Sequence, residues 1–209
     1  MKTIKPYAEI FGDVNGQEIL KKIETCGRVC YKSEGKIKEG SAETFVANIV
    51  KRGHEAVLEH ESVTVKFVVD RGISHEIVRH RIASYCQEST RYCNYAKDDF
   101  EGEITCIIPC YLAEGTAGMG MWKKAMKDAE SAYFSLLDFG LTPQEARGVL
   151  PHSLKTELFM TANLREWRTF FKLRTAKAAH PQIREVAIPL LDEFKKAIPV
   201  VFDDIGVTV

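Results

Sequence analysis

The sequence lacks a net charge, a long hydrophobic run and the common nucleotide-binding glycine motifs. Its 29 Lys and Arg residues balance 29 Asp and Glu residues, which argues against a dedicated nucleic-acid binder and against disorder. No apolar run approaches the roughly 18 residues that span a bilayer, and the opening MKTIKPYAEIFGD has no apolar core of signal-peptide length. We therefore expect a cytoplasmic protein that has neither a membrane nor a nucleic acid as its partner.

The six cysteines form no CxxC motif. A cytoplasmic location predicts that they are free thiols. The CxxxC spacings Cys26–Cys30 and Cys106–Cys110 are weak zinc candidates. His54 and His60 lie six residues apart, about 240° round a helix, whereas a zinc protease needs histidines four apart on one face. The sequence therefore predicts no metal site.

The length of 209 residues predicts a single domain over residues 1–209. Helices are predicted over residues 15–27, 41–52, 74–82, 119–138, 164–173 and 182–197, with a short one between Thr142 and Pro151. Strands are predicted over residues 63–70, 104–109 and 153–162. This irregular mixture favours an α+β domain in which a mixed sheet is packed with helices.

Local signals mark the ends of three of these helices. Ser41 and Gly53 are the expected caps of the second helix, and Ser74 is the expected start of the third. The segment Thr142-Pro-Gln-Glu145 has the form of a capping box, which predicts a helix start there.

Two segments of this neutral chain hold an excess of cations. Residues 71–91 contain four arginines and two acids, and residues 147–184 contain eight Lys or Arg and two acids. Such a segment either forms a solvated basic face or binds a polyanion, because the planar guanidinium matches phosphate geometry.

For Arg174 the helical spacing also predicts a direction, towards the protein interior. It extends the apolar stripe that Leu164, Trp167 and Phe171 form at helical spacing. An arginine directed inward is costly unless it is paired or hydrogen-bonded. A bound anion and a salt bridge to an acid distant in sequence would each satisfy it, and the sequence leaves both alternatives open.

The segment RHRIASYCQESTRY, residues 79–92, resembles the signature RHRxxSxNExSxRY of the flavin-dependent thymidylate synthases. Other segments resemble the family in the same order along the chain. They are Gly53-His-Glu55 with Glu59-His60, Ala146-Arg147 with Leu150-Pro151, Asn163-Leu-Arg165, and Leu173-Arg174. The resemblance therefore covers most of the sequence.

The resemblance implies a homotetrameric enzyme that binds FAD between subunits and methylates dUMP to dTMP. Methylenetetrahydrofolate would be the carbon donor and NADPH the reductant, with no cysteine nucleophile. Arg174 would be the catalytic cation beside the uracil ring. The residues implied for dUMP are Glu76, Arg79, Gln87, Glu88, Ser89, Thr90, Arg91, Arg147 and Arg174. Those implied for FAD are Arg79, His80, Arg81, Gln87, Asn163, Arg165 and Thr169.

The sequence departs from the family pattern at several of these positions. Cys86-Gln87 replaces the Asn-Glu pair, and Glu88 adds a carboxylate one position later. Glu76 stands where glutamine is common, and Thr169 where an amide or imidazole is common.

Two other functions compete with this interpretation. A nucleic-acid module would use the basic segments and stack bases on Tyr85, Tyr92 and Tyr95. A structural protein would carry only solvated arginines, and that function leaves the signature unexplained.

Overall fold

The computed structural model describes residues 1–97 and 100–207, in which helices and strands are interspersed. The strands are β1 (Lys2–Ile4), β2 (Tyr7–Phe11), β3 (Ser62–Asp70), β4 (Ala83–Gln87), β5 (Thr105–Ile107) and β6 (Lys155–Asn163). The helices are α1 (Gly16–Cys30), α2 (Ser41–Lys51), α3 (Arg71–Ile77), α4 (Ala117–Asp138), α5 (Pro143–Ala146), α6 (Leu164–Arg174), α7 (Pro181–Ala197) and α8 (Pro199–Phe202). Short 3₁₀ helices occupy Glu34–Lys36, Glu55–His60 and Arg147–Val149.

Four strands form a sheet in the order β2-β3-β6-β4, and β1 pairs in parallel with β5 in a second sheet. Backbone hydrogen bonds join Leu164 to Glu61 at one end of β3 and Arg71 to Leu154 at the other. Residue numbers in β6 fall as those in β3 rise, so these two strands run antiparallel. Parallel and antiparallel pairings together with helices confirm the α+β class.

Most predicted elements occur with ends shifted by one to three residues, but the third helix is wrong in its bounds. It begins at Arg71, not Ser74, because Asp70 Oδ1 accepts a hydrogen bond from the Ile73 N–H at 2.7 Å. It ends at Ile77, and strand β4 follows where the sequence predicts no strand. Residues 83–87 are mostly polar, so their apolar alternation is too weak to be detected.

Two expected caps have different outcomes. The residue before α2 is Gly40, with φ +74°, and the Ser41 hydroxyl bonds instead to the Lys38 carbonyl and to Glu24. The prediction of Ser41 as N-cap is therefore wrong. The Thr142 capping box is confirmed, since the Glu145 carboxylate accepts from the Thr142 N–H at 2.8 Å.

The chain divides into two compact units. Unit 1 comprises Met1–Tyr7, Phe67–Arg79 and Cys86–Phe159. Unit 2 comprises Ala8–Lys66, His80–Tyr85 and the chain from Met160 onward. The expectation of one domain over residues 1–209 stays a prediction.

The core of unit 1 is built on α4 and its neighbours. Its buried members are Tyr95, Ile104, Cys106, Tyr133, Ala146 and Leu154. The amino group of Met1 forms ion pairs with Glu103 at 2.7 Å and with Glu130 at 3.0 Å. These pairs fix the start of the chain beside α4.

The core of unit 2 is an aromatic cluster on α6, α7 and α8. Its rings are Trp167, Phe170, Phe171, Phe194 and Phe202, with neighbouring centroids 5.0–5.8 Å apart. The indole N–H of Trp167 donates to the backbone carbonyl of Val63 at 3.0 Å. Leu164, Trp167 and Phe171 are fully buried, which confirms the predicted apolar stripe on α6.

Two general features complete the fold. All six cysteines are free thiols. Within residues 1–97 and 100–207, none of the helices has both the length and the apolar character that crossing a membrane requires.

Candidate functional site

A cavity of about 280 Å³ in unit 1 has a basic lining. Its lining residues are Arg71, His75, Thr90, Arg147, Gly148, Leu150, Pro151 and His152. No carboxylate belongs to that lining in the described part of the chain. A small basic cavity without an acid suits a phosphate group. A larger cavity of about 670 Å³ in unit 2, between residues 28 and 48, contains none of the implied site residues.

Two arginines contribute to the unit 1 cavity. Arg147 Nη1 donates to the Thr90 hydroxyl at 3.4 Å, and Thr90 is itself buried. Arg71 starts α3, where its backbone N–H bonds to the Leu154 carbonyl at 3.0 Å. The Nη1 atom of Arg71 is buried and has no hydrogen-bond partner among the described residues. A buried guanidinium N–H without an acceptor is costly, and a bound anion near it would lower that cost.

Gln87 and Glu88 are held in different ways within unit 1. The Gln87 amide donates to the hydroxyls of Ser74 at 2.9 Å and Thr156 at 3.2 Å. The Glu88 carboxylate accepts from Tyr95 at 3.0 Å and pairs with Lys155 at 2.9 Å. Both oxygens of Glu88 are therefore engaged inside the unit, whereas the family resemblance implies that this residue binds dUMP.

Four other residues implied for dUMP, Glu76, Arg79, Ser89 and Arg91, lie in unit 1 and are exposed or half-buried. The Ser89 hydroxyl accepts from the Arg91 N–H at 3.3 Å, and the Arg91 guanidinium lies 5.5 Å from the ring centroid of the exposed Tyr92. Arg79 is exposed and Glu76 half-buried, with the Arg79 N–H bonded to the Glu76 carbonyl at 3.3 Å.

His80 links Glu166 to Arg174 in unit 2. His80 Nδ1 lies 2.8 Å from Glu166 Oε1, and Arg174 Nε donates to His80 Nε2 at 3.1 Å. The Tyr85 hydroxyl donates to the His80 carbonyl at 2.5 Å. Burial is the main cause that lowers the pKa of His80, although the hydrogen bond to Glu166 opposes it. The imidazole is therefore neutral at pH 7, with both ring nitrogens engaged.

The other residues implied for FAD in unit 2 surround the start of α6. Asn163 Oδ1 caps this helix by accepting from the Glu166 N–H at 2.8 Å. Arg165 forms an exposed ion pair with Glu59 at 2.6 Å. The Thr169 hydroxyl bonds to the Arg165 carbonyl at 3.3 Å, and Arg81 is exposed.

The implied residues divide between the two units. All those implied for dUMP lie in unit 1 except Arg174, and those implied for FAD lie in unit 2 except Arg79 and Gln87. The sequence assigned no site to His75, His152 or Glu166, and it included Arg71 only as a member of the basic segment 71–91. The position of Glu166, eight residues before Arg174 on one helix, was the available signal for that residue.

The aromatic residues needed by a nucleic-acid module are largely unavailable. Tyr95 is buried and Tyr85 half-buried, so Tyr92 alone of the three tyrosines named for base stacking is exposed. Three rings within the second basic segment, Trp167, Phe170 and Phe171, are fully buried and cannot stack on bases either.

Comparison with known proteins gives a family and a fold. The profile of the family described as thymidylate synthase complementing protein matches residues 15–200. A flavin-dependent thymidylate synthase of Geobacter sulfurreducens is 34% identical over 191 residues, covering 88% of this chain and 81% of the relative. One from Corynebacterium efficiens is 32% identical over 213 residues, covering 93% and 82%.

Two further similarities agree with these. A flavin-dependent thymidylate synthase of Pyrococcus furiosus is 38% identical over 162 residues, which covers 77% of this chain and 66% of the relative. The crystal structure of a UMP/dUMP methylase from Streptomyces cacaoi bound with 5-Br dUMP has a TM-score of 0.78. The match covers 97% of this chain and 96% of that chain at 24% identity, a similarity of fold.

Proposed function

We propose that this chain, which belongs to the family of flavin-dependent thymidylate synthases, methylates dUMP to dTMP with FAD as its cofactor. Methylenetetrahydrofolate is the carbon donor in this proposal and NADPH the reductant. A homotetramer that binds FAD between subunits, and a cytoplasmic location, are part of the same proposal and rest on the sequence alone.

The observation that carries the proposal is the basic cavity of unit 1. It contains Arg147 and Thr90, two residues implied for dUMP, and it adds Arg71. The phosphate of dUMP would supply the acceptor that Arg71 Nη1 lacks in the described structure. A charge-assisted bond between an arginine and phosphate is stronger than a neutral hydrogen bond. This cavity therefore supports binding of a nucleoside monophosphate.

Arg174 is the residue we assign to the uracil ring. Arginine stays protonated, so it would act as a fixed cation and not as a proton carrier. A cation beside the ring favours the anionic form of uracil, which makes C5 a better nucleophile. Arg174 is half-buried and its Nε is held by His80 at 3.1 Å, so little reorientation is needed on reaction.

The arginines near the start of the signature fit a bound FAD. Arg79 and Arg81 are exposed, and neither side chain has an ion pair in the part of the chain that the structure describes. A guanidinium group of this kind suits a pyrophosphate. Within unit 2, Arg165 would bind FAD together with Arg81 once it leaves Glu59, and its ion pair with Glu59 is weak because both partners are about half exposed. When bound, the reduced flavin supplies the hydride.

The proposal is tested by measuring dTMP formation by the purified protein. Product should require dUMP, FAD, methylenetetrahydrofolate and NADPH, and each is omitted in turn. Arg147→Gln should raise the KM for dUMP about tenfold or more, since a bond to a charged group contributes about 1.5–3 kcal/mol. The exposed Arg52→Gln is the control and should match wild type. A folded, flavin-loaded wild-type protein that forms no dTMP would refute the proposed function.

A further inference from the structure

Helix α6 presents three side chains on one stripe towards the imidazole of His80. Glu166, Phe170 and Arg174 are spaced four residues apart, so they lie one above another along the helix. The His80 ring packs on the Phe170 ring with centroids 5.0 Å apart. From that position its two nitrogens reach Glu166 on one side and Arg174 on the other.

The two hydrogen bonds define where the proton of His80 lies. Arg174 Nε can only donate, so His80 Nε2 must accept. In a neutral imidazole the single proton is then on Nδ1, which donates it to Glu166 Oε1 at 2.8 Å. The His80 and Glu166 side chains are only 4% and 12% exposed, so water competes little for either bond. The opposite tautomer would place two N–H groups against each other at Arg174.

We propose that Glu166 is a positioning residue, which fixes the His80 tautomer and through it the orientation of Arg174. The guanidinium is planar, so a bond at Nε sets the plane in which the two terminal nitrogens lie. Its catalytic consequence rests on the proposed function, in which Arg174 faces uracil. The tautomer assignment is independent of that function.

The test compares Glu166→Ala and Glu166→Gln with Glu193→Gln, an exposed helical carboxylate that serves as the control. Release of tritium from C5-labelled dUMP reports activation of the ring. We expect Glu166→Ala to lower kcat for release about tenfold or more, the loss typical when a carboxylate that orients a metal-bound histidine through the same kind of hydrogen bond is removed. The KM for dUMP and the bound flavin should change by less than about twofold. Glu166→Gln should fall between, because its amide oxygen can still accept from Nδ1–H.

The second readout is ¹⁵N NMR of the histidine ring nitrogens, with the His80 signals assigned by their loss in His80→Gln. Wild type and Glu193→Gln should show a protonated Nδ1 and an unprotonated Nε2. Glu166→Ala should lose that preference. Where Glu166→Ala does not fold, Glu166→Gln carries both measurements.

Two results would overturn the inference. One is wild-type tritium release in a folded, yellow Glu166→Ala protein. The other is slow release with an unchanged His80 tautomer, which would mean that Glu166 acts by another route. A wild-type protein that releases no tritium would count against the proposed function instead, and the NMR comparison would still decide the tautomer.

Discussion

Arg168 should be the most important cation for the stability of unit 2. Its side chain is 2% exposed, yet it carries a full charge. It pairs with both oxygens of Asp204 at 2.6 and 2.7 Å, with Glu55 at 3.0 Å, and with the Val201 carbonyl. Arg168→Ala removes the centre of this network and leaves its acceptors behind.

The expected loss follows from how buried each partner is. Breaking a buried ion pair from one side costs about 3–5 kcal/mol. Without Arg168, water can hydrate the carboxylate of Asp204, which is 51% exposed. Water can hydrate the carboxylate of Glu55 only in part, because Glu55 is 18% exposed. We therefore expect the lower end, about 3 kcal/mol, which for a chain of this size lowers the Tm by about 6–12 °C.

The assay is denaturant unfolding at fixed protein concentration, with Arg165→Ala as a control on the same helix. Arg165 is 51% exposed and its pair with Glu59 should contribute at most about 1 kcal/mol. Arg168 also lowers the pKa of Asp204 below its usual 3.8. The stabilisation is therefore complete above that value and is lost as the pH falls through the lowered pKa. Equal losses in the two variants, or a difference that does not shrink in acid, would refute the reasoning.

Three further predictions concern the site. Arg81→Ala should lower flavin retention more than fold stability, and an unchanged flavin-to-protein absorbance ratio would contradict this. Arg71→Gln should raise the KM for dUMP about fivefold or more while leaving deoxyuridine binding unchanged, since deoxyuridine lacks the phosphate; parallel losses for both would argue against a phosphate contact. Each Cys→Ser variant should keep dTMP formation within about a few fold. Burial raises the pKa of Cys106 to about 12, so that thiol in particular is a poor nucleophile. Complete loss of dTMP formation in one folded variant would instead indicate a covalent step.

Helical periodicity was sufficient to predict one side of α6. The spacing of Leu164, Trp167 and Phe171 predicts a buried stripe that ends at Arg174, and the first three are fully buried. Periodicity identifies a face but not the partner that covers it. The link from Arg174 to His80 joins residues 94 apart in the chain, and no local pattern specifies it.

The balance of charges within a segment also fails to identify the partners of its arginines, because those partners can be distant in the chain. Arg168 lies in the basic segment 147–184, where the sequence suggests a solvated face or a ligand site. Its acceptors Glu55 and Asp204 are 113 and 36 residues away, so their compensating charge falls outside that segment. Arg71 belongs to the other basic segment and lines a cavity without acids. An excess of cations in a segment therefore does not distinguish a structural arginine such as Arg168 from a candidate anion ligand such as Arg71.

The most direct test of the central claim is tritium release from C5-labelled dUMP by wild type, Arg174→Lys and Arg174→Ala, each folded and yellow. Arg174→Ala removes the cation and should slow release by about 100-fold or more. At 1.36 kcal/mol per decade, 100-fold is a loss of about 2.7 kcal/mol, in the lower part of the roughly 2–5 kcal/mol expected when one partner of a buried charge pair is removed. Arg174→Lys keeps the charge but not the planar fork and should lie between, with NADPH oxidation retained in both variants. Wild-type release by the Arg174→Ala protein would contradict the assignment of Arg174 to the pyrimidine.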